Sequence, residues 1–196
     1  MIALFNGMQS SLAMVYDREM GVMRLLLTAP LPRAWILASK LAAGAMLSFL
    51  QMLAFVAVSW LFGIDLSPVN VLLALPVFLL AAVMLAALGL VLSVYVKQLE
   101  NFAGTMNFVI FPMFFISTAL YPLWKLEESG ARVIHTLASF NPFTHAVEAM
   151  RFALYGQVQW LSLGVTAACA LVFFGIALWG YDPQRGMARR PAGPKA

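Results

Sequence analysis

The run Leu66–Val96, LSPVNVLLALPVFLLAAVMLAALGLVLSVYV, contains no charged side chain. Pro68 and Asn70 mark a turn at its start, and the remainder is apolar on every face. A helix of about 20 such residues, rising about 1.5 Å each, crosses a hydrocarbon core of about 30 Å. The run lacks the alternation of a barrel strand, so it predicts a membrane-spanning helix.

Working outward, three more runs have the same character. Trp35–Ile64 holds only Lys40 as a charge, near its start; Asn101–Trp124 is uncharged, with Pro112 expected to kink it; Trp160–Tyr181 closes the set. The chain is 63% hydrophobic and 10% charged, against roughly a quarter charged in a globular domain, which places it in the membrane class. Met1–Tyr16 is apolar but would rise only about 24 Å as a helix. It lacks a basic leader and a cleavage site, so it reads as a partial span and not as a signal peptide. The expected fold is an all-α integral membrane protein, a polytopic helical bundle. A single transmembrane domain would cover 1–182, with spans at about 1–16 (partial), 35–64, 71–96, 102–124 and 159–181. A disordered tail would follow over 183–196, a stretch holding Pro191, Gly193 and Pro194.

Trp35, Trp60, Trp124, Trp160 and Trp179 all fall near span ends, where an indole with one polar edge sits at headgroup level. The net charge of +4 is concentrated between apolar runs, which reads as membrane orientation and not as nucleic-acid binding. Arg18, Arg24, Arg33, Lys40, Lys97, Arg185, Arg189, Arg190 and Lys195 share one side if the spans alternate. Lys125, Arg132 and Arg151 lie on the other, offset by Glu127, Glu128 and Glu148. The richer side, with the C-terminus, is expected in the cytoplasm. The single cysteine, Cys169, lies in an apolar run and offers no disulfide or redox pair.

Between the partial span and Trp35 lies a charged, amphipathic island, Tyr16–Arg33. Met20, Met23 and Leu27 recur at helical spacing, Arg18, Glu19 and Arg24 supply polar positions, and Pro30 and Pro32 form a stiff elbow. From the residues alone it reads as a helix of about 17–29 on the membrane surface. The connection after Trp124 is too long for a turn. Ser129 is a candidate cap for a helix carrying Val133, Ile134, Leu137 and Ala138. Asn141-Pro142 is a strong helix start, with an end near Tyr155 and Gly156. Two short amphipathic helices over about 127–156 suggest a re-entrant or interfacial hairpin on the outer face.

Three stretches together resemble the permease subunits of type 2 ABC transporters. They are Arg18-Glu19-x-Gly21-x-x-Arg24 through Leu25-Leu26-Leu27-Thr28-Ala29-Pro30-Leu31-Pro32-Arg33 with the later Lys40, then Phe115-Ile116-Ser117 through Tyr121-Pro122, and Asn141-Pro142 through Glu148 to Arg151. The resemblance covers essentially the whole chain. It implies six spans with both termini cytoplasmic, and this chain starts where the second of those would end. It also implies that the island is a coupling helix seated on a separate ATP-binding subunit. Arg18, Glu19, Met20, Gly21, Met23, Arg24, Leu27, Pro30 and Arg33 would carry that contact and its transmission. Tyr121, Pro122, Asn141, Pro142, Glu148 and Arg151 would shape an outer gate. A second permease, identical or related, would complete the conduit, and the setting would be a bacterial inner membrane.

The sequence contains no GxxxxGK(S/T) loop, so the expectation is a transport subunit and no enzyme, with no cofactor of its own; ATP and Mg would bind the partner. The substrate implied is amphiphilic, such as a drug, lipid or saccharide-like molecule. Gln51, Asn107 and Ser117 are candidate conduit residues, although such groups, like Ser48, also bond between helices. His135 and His145 have no companion ligands at metal spacing, and no metal site is expected. Glu148 and Arg151 also suit an ordinary surface pair three residues apart. An ion-driven carrier would ordinarily bury a charge at the centre of a span, and no span centre holds an Asp, Glu, Lys or Arg. A non-transporting membrane scaffold is the other alternative.

Overall fold

A computed structural model describes residues 1–20, 32–96, 98–120 and 132–181. Helices α1 (Ile2–Ser10), α2 (Leu12–Glu19), α3 (Arg33–Leu61), α4 (Pro68–Tyr95), α5 (Leu99–Phe115), α6 (Arg132–Phe140), α7 (Pro142–Leu154) and α8 (Trp160–Gly180) build an all-α bundle with no strand among the described residues. Ala34–Leu61, Pro68–Tyr95 and Trp160–Gly180 are long and apolar enough to cross a membrane.

Helix α4 is the axis. Half of its most apolar window is buried, against 22% for the corresponding windows of α3 and α8. It packs against α1, α3, α7 and α8, which is where a helix apolar on all sides belongs. The closest approach is to α1. A Cβ on Gly89 would lie 2.4 Å from the Gly7 carbonyl oxygen, and one on Gly7 would lie 2.8 Å from the Leu85 carbonyl carbon. Small residues that let backbones touch are a principal source of cohesion between helices in lipid, where apolar side chains gain little by leaving the solvent.

Met14 of α2, Leu37 of α3, Leu90 and Val94 of α4 and Ala177 of α8 form a buried cluster near one end of the bundle, called here the island end. Val56, Val71, Phe78 and Ala153 form another towards the far end. The tryptophans sort by the same two levels. Trp35 and Trp179 are exposed at the island end, Trp60 and Trp160 at the far end. Trp160 and Trp179 are about 28 Å apart along an ideal helix, close to a hydrocarbon thickness.

Two elements differ in extent from the reading of the sequence. The first apolar segment continues as α2 through Glu19, so Asp17 and Glu19 prolong that segment and do not open a separate helix near residue 17. A hitch at Ser11 separates α1 from α2. Ser10 and Ser11 hydroxyls both donate to the Gly7 carbonyl, at 3.0 and 3.3 Å, and such competing bonds bend helices. The helix expected over 102–124 ends at Phe115. There the Ser117 hydroxyl and the Ser117 N–H both turn to the Phe114 carbonyl, which tightens the last turn and stops the α pattern. Pro112 lies within α5.

Candidate functional site

At the island end, the last turn of α2 is tied to two other helices. Asp17 forms an ion pair with Lys40 of α3, and both side chains are largely shielded, at 27% and 23% exposure. Glu19 Oε1 accepts from the Leu99 N–H at 3.0 Å. Leu99 is the first residue of α5, and its amide is one of those that a helix leaves without an internal partner. Glu19 thus supplies from a distant part of the chain the cap that Gln98, the residue preceding α5, does not provide with its own side chain. The carboxylate also faces the positive end of the α5 dipole. Met20 follows, 76% exposed. Gly21, Met23, Arg24, Leu27 and Pro30 lie outside the described residues, as do the side chains of Arg18 and Arg33. Of the nine residues expected to carry the coupling contact, Glu19 and Met20 are therefore those whose side chains are placed.

At the far end, α7 is fastened to the end of α5. Asn141 does two jobs. Its Oδ1 accepts from the Phe143 N–H at 3.0 Å, capping α7 with Pro142 in the first turn. Its Nδ2 donates to the Met113 carbonyl at 2.7 Å. That carbonyl is free because the Ser117 N–H bonds to Phe114 instead. Arg151 Nη2 donates to the Thr118 carbonyl at 2.8 Å, and Thr118 Oγ1 donates to the Thr144 carbonyl at 3.4 Å. Arg151 Nη1 also lies 3.5 Å from Glu148 Oε1, so the buried Glu148 has its counter-charge one turn along α7. The pair is thus not a free surface pair: its arginine staples α7 to the segment after α5. His145 Nε2 lies 2.9 Å from the Ser139 carbonyl, which closes the α6–α7 corner. Tyr121, Pro122 and Ser129 fall outside the described residues.

Val133, Ile134, Leu137 and Phe140 of α6 are exposed, while Ala138 is buried. This short helix therefore presents an apolar face outward, a suitable surface for lipid.

The three candidate conduit residues sit in different settings. Gln51 lines a cavity of about 350 Å³ with Ile2, Phe55, Phe78, Met150 and Leu154, and its Oε1 has no hydrogen-bond partner among the described residues. Asn107 is exposed on α5 beside Phe108, which is also exposed. Ser117 is 2% exposed and occupied in the turn after α5. Sequence reasoning gave no role to Asp17, Thr118 or Thr144. An acid just after the first apolar segment, with the lone lysine of the next span to pair with, was a readable signal for the first. Nothing local marked the other two.

Long apolar helices and tryptophans at two levels define a multi-pass, all-α membrane protein. The chain belongs to the ABC-2 type transporter family, whose model matches residues 1–155. It is 31% identical over 161 residues to a protein named as a transport permease, ycf38, of Cyanophora paradoxa, covering 81% of this chain and 54% of that one. It is 32% identical over 159 residues to the protein so named in Porphyra purpurea, covering 80% and 53%. It is 26% identical over 191 residues to the capsule polysaccharide export inner-membrane protein BexB of Haemophilus influenzae, covering 91% and 65%. The chain spans about half the length of the ycf38 relatives it matches. No solved structure matches it.

Proposed function

We propose that the chain is the permease subunit of an ATP-driven exporter that moves an amphiphilic substrate. The observation that carries this reading is the family match across 1–155, which takes in the island, α3, α4 and the Asn141–Arg151 stretch. ATP and Mg would bind a separate ATP-binding subunit. Two permeases, identical or related, would enclose the conduit. The name of BexB supports a saccharide-bearing cargo and an inner-membrane setting. The distribution of Lys and Arg favours a cytoplasmic island and C-terminus.

In this reading the island receives the closure of the ATP-binding subunits, and Arg18, Glu19, Met20, Gly21, Met23, Arg24 and Leu27 form the contact. The Pro30-x-Pro32 elbow then hands the displacement to α3, since two prolines leave few backbone torsions to absorb it. At the far end, Tyr121, Pro122, Asn141, Pro142, Glu148 and Arg151 set the outer gate. ATP binding would open the conduit, and hydrolysis would reset it.

The test is Gly21→Pro in proteoliposomes holding the chain with its ATP-binding subunit, and a lipid-linked oligosaccharide as probe. A proline at position 21 would interrupt the helix expected there. Membrane insertion and ATP hydrolysis are expected to persist while ATP-driven transport of the probe falls at least about tenfold, a coupling loss of roughly 1.4 kcal/mol. Unchanged transport would remove the coupling role from the island.

A further inference from the structure

The end of α2 is bracketed. Asp17 and Glu19 are two residues apart, so their side chains leave the helix about 200° from one another. One reaches Lys40 on α3 and the other reaches the Leu99 N–H on α5. Between those contacts and the core, Met14 is fully buried with Leu37, Leu90 and Val94. Immediately beyond them, Met20 is exposed. A displacement of the island therefore meets a helix end gripped by charge on two sides. Both bonds are of the stronger kind, with an ionised acceptor. The Asp17–Lys40 pair is also partly shielded from water, where an ion pair is screened less than at an open surface.

We propose that Asp17 and Glu19 are positioning residues that divide the island's movement between two helices, Asp17 directing it to α3 through Lys40 and Glu19 directing it to α5 through the Leu99 amide. This rests on the coupling reading of the island and adds a second output to it. The proline elbow serves α3 alone. The Glu19 bond links the island to α5, a helix 80 residues further along the chain. Because α7 is stapled to the end of α5 by Asn141 and Arg151, that route continues to the far-end helix.

Amide hydrogen exchange read by mass spectrometry separates the two routes. In the resting protein, Glu19→Ala removes the cap and should speed exchange of the first α5 amides about fivefold, the factor corresponding to a helix cap of about 1 kcal/mol. Glu19→Gln should give a smaller increase, since its carbonyl still accepts but carries no charge. Unchanged exchange in Glu19→Ala would overturn the clamp, whatever the island does.

The second arm uses the protein bound to its ATP-binding subunit and trapped with ATP and vanadate. Wild type should change its exchange at the start of both α3 and α5. Glu19→Ala should lose the α5 response and keep that of α3. Asp17→Asn should do the reverse, and the exchanged pair Asp17→Lys with Lys40→Asp should recover the α3 response. A merely structural role would not sort the two responses by residue. If both responses persist in both single variants, the division of movement is wrong. If the subunit binds but wild type responds at neither helix, the coupling reading fails, and the resting measurement still judges the clamp.

Discussion

Asn141 joins two helices with one side chain, which makes it the most sensitive single residue at the far end. Asn141→Ala removes a helix cap, at about 1 kcal/mol, and leaves the Met113 carbonyl unpaired in an apolar setting, at about 1–3 kcal/mol. The unfolding midpoint in detergent should fall by several degrees, and Asn141→Ser, which keeps the cap acceptor, should recover part of the loss. Equal loss in both variants would mean that the bond to Met113 dominates. The cap was legible in the sequence, because an acceptor before a proline has few other uses. The bond to Met113 was not. It exists only because the turn at Ser117 frees a carbonyl 28 residues away, and no local pattern encodes that.

At the scale of the element, α4 shows how the bundle holds together without a hydrophobic drive between helices. Its contact with α1 is set by Gly7 and Gly89, so Gly89→Ala should push the two backbones apart. The added Cβ would sit 2.4 Å from the Gly7 oxygen and 2.9 Å from the Met8 Cα. Such overpacking costs about 1–3 kcal/mol. Gly175→Ala in α8 is the internal control. Nothing lies within 4 Å of its new Cβ, so the better helix propensity of alanine should leave stability unchanged or raise it by up to about 1 kcal/mol. Thermal denaturation in a single detergent compares the two, and equal losses would contradict the packing argument. Apolar length and charge made α3, α4 and α8 legible in the sequence. The ends of α2 and α5 were less so. Helix α2 continues past the apolar segment into charged residues because Asp17 and Glu19 find partners on α3 and α5, and α5 stops early because Ser117 turns on Phe114. Both outcomes depend on tertiary contacts that hydropathy does not register.

At the scale of the whole molecule, most Lys and Arg of the sequence fall towards the island end, the tryptophans mark two levels and a central helix carries the packing. This plan suits a body that is pushed from one side. The family and its membrane setting were legible from three short stretches in order, while the settings of Gln51, Asn107 and Ser117 depend on which helices pack beside them, which hydropathy does not register. The central claim is that the island engages an ATP-binding subunit. Its most direct test is affinity purification of the tagged chain from native membranes solubilised in mild detergent, with wild type, Gly21→Pro and Arg24→Glu side by side. The account predicts that wild type recovers a polypeptide bearing a phosphate-binding loop in near-equal amount, and that both variants recover severalfold less while inserting normally. Recovery of no such polypeptide, or equal recovery by all three, would contradict it.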